Sequence, residues 1–186
     1  MKLYFVTVND FKAKEVTQYL DGSGVELKVI PHEIKEILNI DLAVIVRDKA
    51  LKAFKEVGLP CVVEHGGLHI DALGGLPGGL SKVVWDTVGD KLCKFIEPTD
   101  PRSATAKSVV GYCDGKRVKI YTGETRGTIA AAARGSYKFQ WDPIFVPDKT
   151  NLTYAEMGFP EKAKYSQAPK AWNELVKELG LGLTTA

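Results

Sequence analysis

Three stretches of this chain combine residue types that can do chemistry. The first runs from Glu64 to Ser81 and reads EHGGLHIDALGGLPGGLS. A carboxylate and an imidazole stand side by side at Glu64 and His65. Two glycines follow, and a loop with four glycines in six positions spans Gly74 to Gly79. Such a loop lets the backbone come close to a ligand. His65 can act as a general base, because imidazole changes charge near neutrality. As a metal ligand it offers nitrogen, which suits Mn²⁺, Ni²⁺ or Zn²⁺ better than Mg²⁺. His65 and His69 are not expected to chelate one ion, since four residues of strand span roughly 13 Å.

The second stretch is Thr7-Val8-Asn9-Asp10-Phe11-Lys12-Ala13-Lys14-Glu15. A β-type run ends, a polar turn follows, and helical spacing begins. Unpaired N–H groups at a helix start favour an anion, and Lys12 in the first turn adds a full positive charge. The plainer reading is an N-cap at Asn9 beside a surface lysine. The third stretch is Phe139-Gln140-Trp141-Asp142-Pro143-Ile144-Phe145. In an extended segment Phe139 and Trp141 would share one face and could stack a flat base. Asp142 could then accept hydrogen bonds from base N–H groups. The plainer reading is two core aromatics and a turn aspartate.

These groups need elements to hold them. Strands are expected at Lys2 to Thr7, Val25 to Ile30 and Cys61 to Val63. Helices are expected at Phe11 to Leu20 and Leu42 to Val57, where apolar residues recur at helical spacing. The order strand, helix, strand, helix, strand indicates an α/β core. Further along, a helix is expected at Val88 to Ile96. Lys107 to Cys113 and Lys116 to Thr122 flank Asp114-Gly115, a strong hairpin signal. Thr128 to Ala133 reads as a strand or the start of a loop. The last helix is expected at Pro169 to Leu179, with Trp172, Leu175 and Leu179 on one face.

Composition narrows the function classes. The chain has 186 residues, a hydrophobic fraction of 45%, and a net charge of +2 with lysines and arginines dispersed. No concentrated basic patch argues for nucleic acid. No run of about 18 apolar residues argues for a membrane span. The start lacks the long apolar centre of a signal peptide. Three cysteines without C-x-x-C spacing fit reduced thiols in the cytoplasm.

The ordered motifs resemble the inosine-triphosphate pyrophosphatase family, enzymes of non-standard purine nucleoside triphosphates. Thr7, Asn9, Lys12 and Glu15 match its T-G-N-x-x-K-x-x-E, with Val8 where Gly is usual. Glu64, Gly67, Leu68, Ala72 to Gly75, Pro77 and Gly78 match E-D-[ST]-G-L…A-L-G-G-x-P-G, with His65 and Gly66 replacing the Asp and the Ser or Thr. Phe139, Trp141, Asp142, Pro143 and Phe145 match G-F-G-[YW]-D-P-x-F, with Lys138 and Gln140 replacing the glycines. Thr153, Ala155, Glu156, Met157, Glu161 and Lys162 match T-x-A-E-M and E-K, and Ser166-Gln167-Ala168 stands for S-H-R.

The resemblance implies a single domain over 1–186, with an elongated mixed sheet and two lobes around a nucleotide cleft. It implies a homodimer that hydrolyses a purine nucleoside triphosphate to monophosphate and pyrophosphate. Glu36 and the His65 position would bind Mg²⁺, or Mn²⁺ given the imidazole. Thr7, Asn9, Lys12, Lys49, Lys82 and Lys162 would face phosphates. Phe139, Trp141, Asp142, Ser166 and Gln167 would lie on the base side. The alternative is a nucleotide-binding homologue with little or no hydrolysis, because the departures fall on reactive groups.

Overall fold

The structure is a computed structural model that describes residues 1–136 and 139–180. Strand β1 (Lys2–Val6) leads into helix α1 (Asp10–Tyr19), and β2 (Glu26–Ile30) follows. After an irregular stretch over 31–41 comes α2 (Leu42–Val57), then β3 (Cys61–Ile70). The strand expected at Cys61 to Val63 thus runs on through the whole Glu64–His65–Gly66–Gly67 segment. A 3₁₀ turn (Asp71–Leu73), a two-residue strand β4 (Pro77–Gly78) and α3 (Ser81–Val88) come next. The helix expected at Val88 to Ile96 is a 3₁₀ segment, Gly89–Phe95, entered through Gly89 at φ +57°. That residue ends α3 and breaks the helical run.

The hairpin is present and longer than expected: β5 (Ser103–Cys113) and β6 (Val118–Ile129). Asp114 sets its turn by accepting from the backbone N–H groups of Lys116 and Arg117, both at 2.8 Å. Past Ile129 the chain leaves the sheet, so the stretch to Ala133 is loop. A 3₁₀ turn (Asp142–Ile144), β7 (Phe145–Pro147), α4 (Tyr154–Met157), α5 (Glu161–Tyr165) and α6 (Gln167–Glu178) complete the chain.

The sheet is mixed, in the order β2-β1-β3-β5-β6-β7. β2, β1 and β3 run parallel, and β3, β5, β6 and β7 run antiparallel. Helices cover both faces, as a parallel portion requires. Side chains of β3 alternate between them. Val62 joins the core under α1 and α6 with Phe5, Val110 and Trp172. Cys61 and Val63 join the core under α2 with Val46, Ala50 and Val109. A third core lies towards the far end of β3, around Leu68, Ile70, Trp141, Ile144 and Tyr154. All three cysteines are buried free thiols.

One topological feature makes the site. β3 has ten residues, but β1 pairs with it only near Phe5–Val62, and β4 pairs with it only at Leu68–His69. On that side the stretch Glu64 to Gly67 has no neighbouring strand. The carboxyl ends of the parallel strands β1 and β2 open onto the same place. In open α/β sheets ligands bind beyond the carboxyl ends of the strands. No helix among the described residues is long and apolar enough to cross a membrane.

Candidate functional site

A cleft of about 270 Å³ fills this gap. It is lined by the β1–α1 turn (Thr7, Val8, Asn9, Lys12), the irregular stretch from His32 to Glu36, Lys49 of α2, Glu64 to Gly66 of β3, Lys82 and Gln140. The sequence-predicted groups Thr7, Asn9, Lys12, Glu36, Lys49, His65 and Lys82 therefore share one cavity.

The β1–α1 turn is built as expected. Asn9 is the N-cap of α1, and its side-chain oxygen accepts from the Lys12 N–H at 3.1 Å. The Thr7 hydroxyl oxygen accepts from the Asn9 N–H at 3.1 Å. Both hydroxyl and amide thus shape the turn. The Lys12 ammonium lies 3.7 Å from Glu64 Oε1, which also accepts from the Ser108 hydroxyl at 2.7 Å.

Alternation along β3 sends the next side chain to the other face. His65 is buried at 7% exposure, and its two nitrogens both face oxygens. Nε2 lies 2.8 Å from the Gly79 carbonyl oxygen, and Nδ1 lies 3.4 Å from Glu36 Oε2. Which ring nitrogen donates depends on the tautomer. The Lys49 ammonium donates to Glu36 Oε1 at 2.6 Å and to the Glu64 carbonyl oxygen at 3.2 Å. Lys49 is therefore not a solvated helix residue but the tie between α2, Glu36 and β3.

Burial by itself would raise the Glu36 carboxyl. The His65 hydrogen bond and the Lys49 charge outweigh it and hold the carboxyl well below the usual carboxylate range. Burial pulls the Lys49 ammonium down despite Glu36, with Lys12 acting in the same direction. The two partners respond differently because the Lys49 side chain is the more enclosed, 14% exposed against 31% for Glu36.

The groups expected to hold a metal ion are engaged with protein partners. Each Glu36 oxygen faces a nitrogen, and His65 Nε2 is committed to a carbonyl. Glu64 points to the other face and is committed to Ser108 and Lys12. Among the described residues no cluster of three His, Cys, Asp or Glu stands ready to hold an ion. Mg²⁺ asks for hard oxygen donors and Mn²⁺ also accepts imidazole nitrogen, but either ion needs donors with free lone pairs. The residues present do not fit an ion held between positions 36 and 65.

Several expected ligand contacts are taken up inside the protein instead. Trp141 does not share a face with Phe139, because Gln140 between them sits at φ +46° and the segment is not extended. Trp141 is 5% exposed, in the core against Phe145 and Tyr154. Phe139 packs on Phe11 at 5.6 Å between ring centroids, with the Lys162 ammonium 5.0 Å above its ring. Lys162 does not reach the cleft. It is buried, donating to Asp142 Oδ2 at 2.7 Å and Glu15 Oε1 at 2.9 Å. Asp142 is thus paired with a lysine rather than presented to a base. Lys82 lines the cleft, but its ammonium pairs with Asp86 at 2.5 Å on the surface. Ser166 caps α6, accepting from the Ala168 N–H at 3.4 Å. Gln167 Oε1 accepts from the Tyr154 hydroxyl at 3.2 Å. Thr153 and Glu156 of the T-x-A-E-M motif form a capping box on α4. Lys138 lies outside the described residues.

One ammonium between two buried carboxylates leaves an excess of negative charge. Burial pushes the Asp142 carboxyl up to about 7 against the pull of Lys162, and Glu15 adds to the rise. Lys162 resists burial through the same two carboxylates and is raised. The pH consequence has a definite sign. Folded Asp142 holds its proton more tightly than the unfolded chain, whose value is about 4. Its contribution to stability is full below that value and is lost as pH rises to about 7. Asp142→Asn should remove this decline. Unfolding measured from pH 4 to 8 should show wild type losing stability relative to the variant until about pH 7. Parallel curves over that range would contradict the assignment.

Glu15 and Glu64 are the residues that sequence reasoning passed over as site members. Both stand in matched motifs, yet their roles depend on partners 147 and 44 residues away, Lys162 and Ser108.

A model of the Ham1 family matches residues 3–178. This chain belongs to the Ham1 family. It is similar to the dITP/XTP pyrophosphatase of Methanopyrus kandleri, 40% identical over 173 residues that cover 92% of each chain. It is similar to the dITP/XTP pyrophosphatase of Pyrococcus horikoshii, 37% identical over 186 residues, 98% of this chain and 99% of that one. Among solved structures, a HAM1 protein from Coxiella burnetii superposes with a TM-score of 0.82 at 25% identity, covering 97% of this chain and 98% of its own. The nucleoside-triphosphatase / dITP/XTP pyrophosphatase of Mycobacterium abscessus superposes with a TM-score of 0.74 at 29% identity, covering 96% and 100%. Ham1 membership accounts for the α/β mixed-sheet fold and the order of the motifs.

Proposed function

We propose that this Ham1-family chain is a hydrolase of non-standard purine nucleoside triphosphates, giving monophosphate and pyrophosphate. The observation that carries the reading is the convergence of Lys12, Lys49 and the start of α1 on one cleft, in a chain whose relatives are dITP/XTP pyrophosphatases. Water adds to the α-phosphorus, and the bond from that phosphorus to the bridging oxygen of the β-phosphate breaks. Pyrophosphate leaves with that oxygen, and a proton passes to solvent. Lys12, Lys49 and the backbone N–H groups of the β1–α1 turn stabilise the charge on the phosphate oxygens. Glu36 is the carboxylate at the cleft that can align the water by accepting one of its hydrogens. His65 and Lys49 set its direction. A homodimer in the cytoplasm remains part of this proposal.

Pyrophosphate release and calorimetry on a panel of triphosphates test the reading. Lys12→Ala should weaken substrate capture by about tenfold to a hundredfold, the range for losing one charge-assisted hydrogen bond. The same panel reads base choice. Gln167 is engaged by Tyr154 and Ala168 has no side-chain donor, so the inosine over adenosine preference should stay under about a hundredfold. No release and no binding with any purine triphosphate would refute the proposal. Binding without release in wild type would instead favour a silent nucleotide-binding homologue, which the substitution of His65 makes the specific alternative.

A further inference from the structure

We infer that the cleft binds its triphosphate without a metal ion, with its own side chains taking the place of the bridging cation. This rests on the nucleotide reading above and concerns how the phosphates are held.

Charge is the first support. The carboxylates of the cleft are already balanced by the protein. Glu36 has Lys49 at 2.6 Å, and Glu64 has Lys12 at 3.7 Å. The cleft lining further includes Lys35 and Lys82 against Glu33. With Lys82 already paired to Asp86, three lysines stand against three carboxylates. A dication is drawn to uncompensated negative charge, and none is left over. A polyanion entering the cleft would meet the ammonium groups of Lys12 and Lys49 directly.

Geometry is the second. A bridging cation would touch Glu36 and a second carboxylate on β3. At that second position His65 faces Glu36 Oε2 with Nδ1 and fastens its other nitrogen to the Gly79 carbonyl. The imidazole thereby joins Glu36 to the glycine-rich loop, the connection an ion would otherwise make. Glu64, the neighbouring carboxylate, cannot substitute. Strand alternation turns its carboxylate away from Glu36, to a part of the cleft where Ser108 and Lys12 hold it. Gly66 has no side chain and so adds no hydroxyl. Lys12 and Lys49 remain within the cleft as the groups a phosphate would meet first.

The test is calorimetric titration of the full chain with an α,β-imido purine nucleoside triphosphate, which cannot be cleaved. One titration is run in EDTA and one in excess Mg²⁺. Wild type should bind with affinities within about threefold of each other. His65→Asp leaves two carboxylates facing one another, so it should bind at least about tenfold more weakly in EDTA than in Mg²⁺. His65→Asn, neutral and close in size, serves if the aspartate variant does not fold: it breaks the tie between Glu36 and the Gly79 carbonyl, so its affinity in EDTA should fall about threefold or more below that of wild type, and an unchanged affinity overturns the inference. Wild-type binding that drops by about tenfold or more when Mg²⁺ is removed overturns this inference alone. No binding in either buffer overturns the nucleotide reading and this inference with it.

Discussion

Lys162→Ala should lower the unfolding free energy by about 3–5 kcal/mol, the cost of leaving buried carboxylates without their cation. Lys162 is 3% exposed and bridges Asp142 of the third motif to Glu15 of α1. Removing it leaves like charges close together in a medium that solvates them poorly. The deficit should shrink at acid pH, because Asp142, already pushed up to about 7, can take a proton. For a chain of this length the change corresponds to roughly 6–20 °C in Tm. Denaturant unfolding at pH 5 and pH 8 measures both parts. A loss below about 1 kcal/mol at pH 8, the range of a surface ion pair, would show that the lysine does not neutralise this network. The same variant separates the two readings of Lys162. A phosphate ligand would alter substrate affinity with little effect on stability.

The second large effect is expected at Gly67. A methyl group there would meet the Gly78 carbonyl oxygen at 2.4 Å, its carbon at 2.9 Å and Leu42 Cδ1 at 3.1 Å. Two of these atoms are backbone and cannot swing away. Gly67→Ala should therefore push the glycine-rich loop off β3 and cost about 1–3 kcal/mol, as overpacking does. The loop carries Gly79, whose carbonyl holds His65, and Ser81, whose hydroxyl accepts from the Leu68 N–H at 2.8 Å. Displacement should therefore reach the cleft and reduce pyrophosphate release as well. Gly66→Ala is the internal control. Its nearest atoms stand at 3.7 Å and beyond, so the change should stay within about 1 kcal/mol. Equal losses for the two neighbours would mean that the loop contact is not what selects glycine at 67.

Much of the scaffold was legible in the sequence because it rests on local chemistry. Asn9 is a good cap wherever a strand gives way to a helix, and it caps α1. The helical spacing from Leu42 to Val57 has the bounds of α2, with Gly58 at φ +74° closing it. Asp114-Gly115 makes a hairpin turn from its own side chain and backbone. The α/β order and the Ham1 motif series likewise need no knowledge of distant contacts.

The partners of the functional groups were not legible, because each is set by long-range packing. Residues 31–41, with little regular structure, bring Glu36 to Lys49 and His65, across 13 and 29 positions. The sequence alone leaves Lys49 open to a solvated face or a phosphate; packing of α2 on β3 turns it inward. A left-handed Gln140 removes Trp141 from the face it would share with Phe139 in an extended strand. Periodicity cannot foresee this, since one backbone angle overrides it. Lys162 reads as a phosphate ligand from the family resemblance, yet folding lays it between carboxylates at 15 and 142. Residue types and their order thus determined the fold, the family and the set of charged groups near the cleft. Only the tertiary structure decided which charges neutralise one another and which stay open to a substrate, because Coulomb energy depends on distance and burial and not on position along the chain.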